Sequence, residues 1–176
     1  MDQVREGMSP YYKCSWVPEK CNIFVWRSRL DRIPTRQALA RRNIHIVSVD
    51  CVFCGETAES VDHLFTACEK SMRAWNRFCA WANIPHILAF SFGDLVDHYK
   101  SCPGNKDYKE VIKGLIVVAC WCIWKARNAK FFSSMESSWG EIFREIRTLG
   151  FFWLKNRSKH CNIEWIEWCK SPLYMF

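Results

Sequence analysis

The apolar residues of this chain recur mostly at helical rather than strand spacing. After Pro18, one face carries Cys21, Phe24, Val25 and Ser28, and a second carries Ile23, Trp26 and Leu30. That spacing predicts a helix buried on two sides, with Arg27 and Arg29 at its margins. Pro18 suits a first helical position and Glu19 the positive end of the helix dipole. The helix should stop at Arg32-Ile33-Pro34, because the residue before a proline is pushed out of the helical region. Thr35 then offers an N-cap for a second helix through Arg41, with Asn43 able to end it. The β-branched run Ile44 to Val49 reads as an extended approach to Cys51. Ser60 can cap a short helix that carries His63, Leu64 and Phe65 and ends near Cys68. A longer helix, about Glu69 to Ala82, sets Met72, Trp75, Cys79 and Ala82 on one stripe, read as core packing. Pro85 breaks that pattern.

The second half is more apolar. Ser91 caps a short helix over Gly93 to Tyr99, and Cys102-Pro103-Gly104-Asn105 reads as a turn or linker. From Asp107 to about Phe132 runs the most apolar element, with no polar residue between Leu115 and Trp124. It is too short to span a bilayer, which needs about 20 apolar residues, and is expected to be a central buried helix. A last long helix, about Ser138 to Arg157, has Trp139, Ile142, Ile146, Leu149 and Trp153, preceded by Met135, at alternating steps of four and three. This seam should pack on the preceding helix or on another chain. Arg144, Arg147, Lys155, Arg157 and Lys159 lie outside it, and a segment with Trp165 and Trp168 should fold back. Residues 1–17 read as a lead-in, with Tyr11, Tyr12 and Trp16 available to pack on the adjoining chain.

Composition narrows the class. A chain of 176 residues that is 49% apolar, with 10 Trp, excludes disorder, and 7 Gly with 6 Pro favour helices over a turn-rich sandwich. The 11 cysteines would suit a disulfide scaffold, but their number is odd and Met1 to Glu6 shows no apolar signal segment. A reducing compartment is expected, with Cys79, Cys120 and Cys122 as small buried hydrophobes. The net charge of +7 is unevenly spread. Lys20, Arg27, Arg29, Arg32, Arg36, Arg41 and Arg42 form a basic arm opposed only by Asp31. Asp50, Glu56, Glu59, Asp62 and Glu69 form an acidic loop opposed only by Lys70.

Inside that loop stands Cys51-Val52-Phe53-Cys54, followed by His63 and Cys68. A C-x-x-C turn presents two thiolates to one metal, Gly55 suits a tight exit from it, and His63 with Cys68 completes a Cys₃His set. A redox pair would instead need a strand before the first cysteine and a helix starting at it, in a βαβ frame. No such frame is visible. Four protein ligands leave no open position for a water, so the expected role is one structural zinc. The fold expected is mainly α, with a small zinc-stabilised helical module followed by a helical C-terminal part with long antiparallel helices. Its boundaries are a zinc module at 18–100, a linker at 101–106 and a helical region at 107–176.

The order and spacing of particular residues add a resemblance. Phe24-Val25-Trp26-Arg27, Arg32-Ile33-Pro34-Thr35-Arg36, Leu39-Ala40-Arg41-Arg42-Asn43-Ile44, Cys51, Cys54, His63-Leu64-Phe65, Cys68 and Trp75 occur in succession. Over about Trp16 to Trp81 this resembles the zinc-binding domain that follows the reverse transcriptase in plant LINE-like (non-LTR) retroelements. Trp121-Cys122-Ile123-Trp124-Lys125-Ala126-Arg127-Asn128 is similar to the helical tail of such polyproteins. Val52 departs from the pattern, which has proline after the first ligand.

The resemblance implies a nucleic-acid-associated module, nuclear in placement and otherwise cytoplasmic rather than secreted, from the end of an RNA-directed DNA polymerase. Polymerase chemistry itself needs metal-binding aspartates, commonly in a Tyr-x-Asp-Asp turn, and no Asp-Asp pair occurs here. The chain looks like a detached, non-catalytic tail. On one reading Arg27, Arg29, Arg32, Arg36, Arg41 and Arg42 contact phosphates of RNA or DNA, with Trp26 in the core rather than a stacking platform. On another these arginines pair internally, and the module docks on the polymerase core or a second copy without touching nucleic acid. An independent hydrolase is disfavoured by the closed ligand set, and His45, His86 and His98 belong to no catalytic arrangement.

Overall fold

The computed structural model describes residues 13–176, so Tyr11 and Tyr12 lie outside the described residues. Helices form where caps and prolines direct them. α1 (Glu19–Arg29) starts at Pro18 and ends before Ile33-Pro34. α2 (Arg36–Arg41) is capped by Thr35, whose hydroxyl accepts from the Ala38 amide at 3.2 Å. Asn43, at φ 56°, turns the chain out of α2, and the Asn43 and Ile44 amides bond back to the Ala40 and Leu39 carbonyls. α3 spans Glu69–Ala82, and α4 (Phe92–Asp97) begins with a Ser91–Asp94 capping box. α5 (Lys106–Ser133) is capped by Asn105, and α6 (Trp139–Arg157) opens with a Ser138–Glu141 capping box. A short α7 (Trp165–Lys170) completes the order. No strand forms among the described residues, and the fold is mainly α as expected.

α5 is the axis of the molecule. α1, α4 and α6 pack against it, and α3 packs on α6. The pairs Asp107–Lys159, Leu115–Gly150 and Lys125–Glu145 run up one helix and down the other, so α5 and α6 are antiparallel. Two glycines permit close approach. A Cβ on Gly114 would lie 2.1 Å from the Trp16 ring, and one on Gly150 would lie 2.8 Å from Leu115. α7 folds back as expected. Trp168 is fully buried, its indole N–H donates to the Arg147 carbonyl, and its own carbonyl accepts from the Trp81 indole, both at 2.9 Å. Among the described residues no helix is long and apolar enough to cross a membrane.

Several expectations are corrected. The lead-in is structured where it is described: Cys14, Trp16 and Val17 are buried. The Asn22 amide brackets the Cys14 backbone, and the Trp16 indole N–H donates to the Glu110 carbonyl of α5. The second face of α1 is only half-covered, with Leu30 exposed and Trp26 at intermediate depth rather than in the core. α1 is a lateral helix against α5, so one face suffices. Ile44 to Val49 leads to Cys51 without forming a strand, and Val47 is 100% exposed. The buried stripe of α6 is Ile142, Phe143, Ile146, Gly150 and Leu154. Met135 and Trp139 lie at the helix entrance and stay exposed.

Candidate metal centre

The centre is assembled from two turns. The first is a tight hairpin over residues 49–59. The Cys51 amide donates to the Thr57 carbonyl at 2.7 Å, the Glu59 amide to the Val49 carbonyl at 2.8 Å, and Asp50 bridges Ala58. At its tip the Gly55 amide bonds back to the Cys51 carbonyl at 2.8 Å, with Gly55 at φ 73°, a conformation that suits glycine. This turn aims Cys51 and Cys54 to one side.

The second is a π-helical turn, His63–Ala67, closed by the Cys68 amide donating to the His63 carbonyl at 2.7 Å. In an α-helix five residues make about 1.4 turns and would separate His63 from Cys68 around the axis. The wider i→i+5 turn brings them onto one side. Ser60 caps the entry by accepting from the His63 amide at 2.9 Å. Leu64 and Phe65 anchor the turn in the core, and the Trp75 indole holds the Phe65 carbonyl at 2.9 Å.

All four predicted ligands converge. Their ligand atoms lie within 4.8 Å of one another, with Cys51 Sγ to Cys68 Sγ at 3.9 Å and Cys54 Sγ to His63 Nε2 at 3.3 Å. Zinc bonds of about 2.3 Å to sulfur and 2.0–2.1 Å to nitrogen give tetrahedral edges of about 3.5–3.8 Å. The two measured edges fall close to this range, so the donor set fits one zinc.

Cys51, His63 and Cys68 differ in protonation. The Cys51 thiol donates to Cys68, and with the Lys70 and Ser71 amides at the start of α3 this holds the Cys68 thiol below its ordinary value. The same shared proton, together with burial, raises Cys51, which a bound cation would offset. Burial lowers His63 and keeps its imidazole neutral, the form that ligates. Elsewhere burial pushes Cys21 and Cys79 up to about 11 and raises Cys120 and Cys122, as expected for inert core thiols.

The acidic loop is not uniformly solvated. Glu59 is 0% exposed and Arg127 of α5 is 1% exposed. The guanidinium grips the carboxylate through Nη2 at 2.6 Å and Nε at 3.1 and 3.2 Å. Glu59 also accepts from the Val52 amide at 3.1 Å and the Arg36 amide at 3.0 Å. A proline at position 52 has no N–H and could not make the first of these bonds. Along the sequence Arg127 shows as a charge in an apolar helix, within the Trp121–Asn128 run, and Glu59 as one acid among several, with nothing to pair the two.

The basic arm divides. Arg29 pairs with Asp97 at 3.2 Å, Arg41 with Asp31, and Arg36 donates to the Asp50 carbonyl at 2.8 Å while lying over the Phe131 ring. Arg27, Arg32 and Arg42 are exposed and make no side-chain ion pair or hydrogen bond among the described residues. Of the histidines outside the metal set, His98 bonds the Pro85 carbonyl.

No curated protein and no solved structure matches the chain. Residues 3–75, however, match the family model for zinc-binding in reverse transcriptase, and the matched segment holds all four converging residues, Cys51, Cys54, His63 and Cys68.

Proposed function

We propose that this zinc module serves nucleic-acid binding at the end of a reverse transcriptase and has no polymerase chemistry of its own. The observation that carries this reading is the set of exposed cations Arg27 on α1, Arg32 in the connection to α2 and Arg42 at the end of α2, uncommitted among the described residues. The metal folds the hairpin, and the arm offers guanidinium groups to phosphates of the element transcript or its target site. A plant LINE-like element, with the protein acting in the nucleus, is the source that the order of its motifs suggests. The test is binding of single-stranded RNA and duplex DNA as a function of salt, with Arg27, Arg32 and Arg42 each changed to Glu. Every phosphate interaction that a substitution removes should reduce the slope of log K against log salt by about 0.7 for single strands or 0.9 for duplex. Unchanged affinity and slope in the triple variant would refute the reading.

A second reading is docking to the polymerase core or dimerisation. It is favoured by Phe132 and Met135, exposed on either side of the turn joining α5 to α6. A sedimentation shift abolished by Phe132→Ser and Met135→Ser would support it.

A further inference from the structure

We propose that Arg127, on α5 and outside the segment that matches the zinc-binding family, is a positioning residue of the metal centre, acting through Glu59 and the Val52 amide on the Cys51–Cys54 turn. The proposal rests on the four ligands binding zinc, a premise that the metal content of the unaltered protein checks separately.

The path is continuous. Arg127 is fixed from every side: its guanidinium lies 5.0 Å from the Trp124 ring centroid and 4.7 Å from that of Phe131, and Nη1 donates to Asn128 at 3.0 Å. Its Nε and Nη2 both donate to Glu59. The carboxylate thus held takes the Val52 amide on one oxygen and the Arg36 amide on the other. Val52 is the first residue after a ligand. The next two amides, of Phe53 and Cys54, face the Cys51 sulfur. Fixing the Val52 N–H therefore fixes the peptide from which the turn closes around that sulfur. Arg36, the first residue of α2, is joined to the hairpin by the same carboxylate and by the Gln37 amide on the Glu59 carbonyl at 3.1 Å.

The arrangement has a chemical consequence. A buried carboxylate without a countercharge is unstable in a site closed to water. Without Arg127, Glu59 would turn toward solvent and release the Val52 amide, or admit water beneath the hairpin. Either change moves Cys51 and Cys54 relative to His63 and Cys68, and zinc tolerates little displacement of its ligands. Groups that orient metal ligands from outside the coordination sphere typically change affinity by about 10- to 100-fold when removed.

The test uses the full chain loaded with zinc, or with cobalt(II) as a spectroscopic probe, and measures affinity by competition with a chromophoric chelator. Arg127→Met and Glu59→Gln should each weaken zinc binding by about 10- to 100-fold and alter the visible absorption of the cobalt form. Gly114→Ala, on the same helix but against Trp16 and away from the hairpin, is the control. It should lower the thermal midpoint while leaving the chelator titration and the cobalt spectrum as they were. If Arg127→Met does not fold, Arg127→Lys decides the matter on the same measurements, because it keeps the charge and loses the fork. Affinity and spectrum unchanged in the Arg127 variants, or lowered equally by Gly114→Ala, would overturn the proposal and leave Arg127 as a residue of the core alone.

Discussion

The metal hairpin with its π-turn and the α5–α6 pair are held by different forces. Between Val49 and Cys68 order comes from turn hydrogen bonds, from anchors such as Leu64 and Phe65, and from four ligand atoms converging on one point. Glu56 and Thr57 at the hairpin tip are exposed, and a metal held by this segment is expected to contribute much of its stability. In α5, by contrast, nearly every residue from Val111 to Ala126 is buried, and α6 closes over it through Ile142, Ile146 and Leu154. One region depends on coordination chemistry and the other on packing. The Glu59–Arg127 pair joins them, so that the metal site takes its floor from a helix far along the chain.

Removing the metal should break this contrast most strongly. A chelator, or Cys54→Ser, is expected to take on the order of 10 kcal/mol from the hairpin. Hydrogen exchange should show residues 50–68 losing protection while the middle of α5 retains it. Simultaneous loss in both regions would mean one cooperative unit and would erase the distinction.

The packing side has its own test. Trp168→Ala removes a fully buried side chain that donates to the Arg147 carbonyl, and should cost about 3–5 kcal/mol. Zinc content should remain at its original value, and a fall in thermal midpoint with metal retained is the expected result. Gly114→Ala should cost about 1–3 kcal/mol through its collision with Trp16. An unshifted midpoint would show that the indole can move aside.

Acid sharpens the comparison further. His63 has a folded pKa below its ordinary 6.5, because burial disfavours the imidazolium. Below pH 6.5 the unfolded chain therefore binds a proton that the folded chain resists, and stability falls as pH drops from 6.5 through the folded value. Above that window the full contribution is present. Proton competition for the thiolates acts in the same direction. Zinc measured after dialysis between pH 7.5 and 5 should be lost on the acid side, while the helical signal of α5 and α6 persists. Zinc retained at pH 5 would count against His63 as a ligand. The smallest effect is expected from Thr35→Ala, which removes the α2 cap and should cost about 1 kcal/mol by chemical denaturation.

Much of this is legible along the chain because it is local. The caps Thr35 and Ser91, the stop at Pro34 and the left-handed exit at Asn43 depend on residues within a turn or two of each other, and they form as the residue types direct. The metal set is legible for the same reason: Cys51 and Cys54 share one turn, and His63 and Cys68 another. What tertiary structure alone decides is where each amphipathic face meets a partner. Periodicity gives a face without saying what covers it, so it assigns α1 two buried faces when one is used, and it extends the α6 stripe to Trp139 and Met135. The division of the arginines has the same cause. Arg41 and Arg29 meet acids brought close by the turn after α1 and by α4, while Arg27, Arg32 and Arg42 stay in solvent. The Glu59–Arg127 pair is the limiting case. Its partners are 68 residues apart, and a carboxylate in a loop becomes a buried anion only when a distant helix supplies the countercharge.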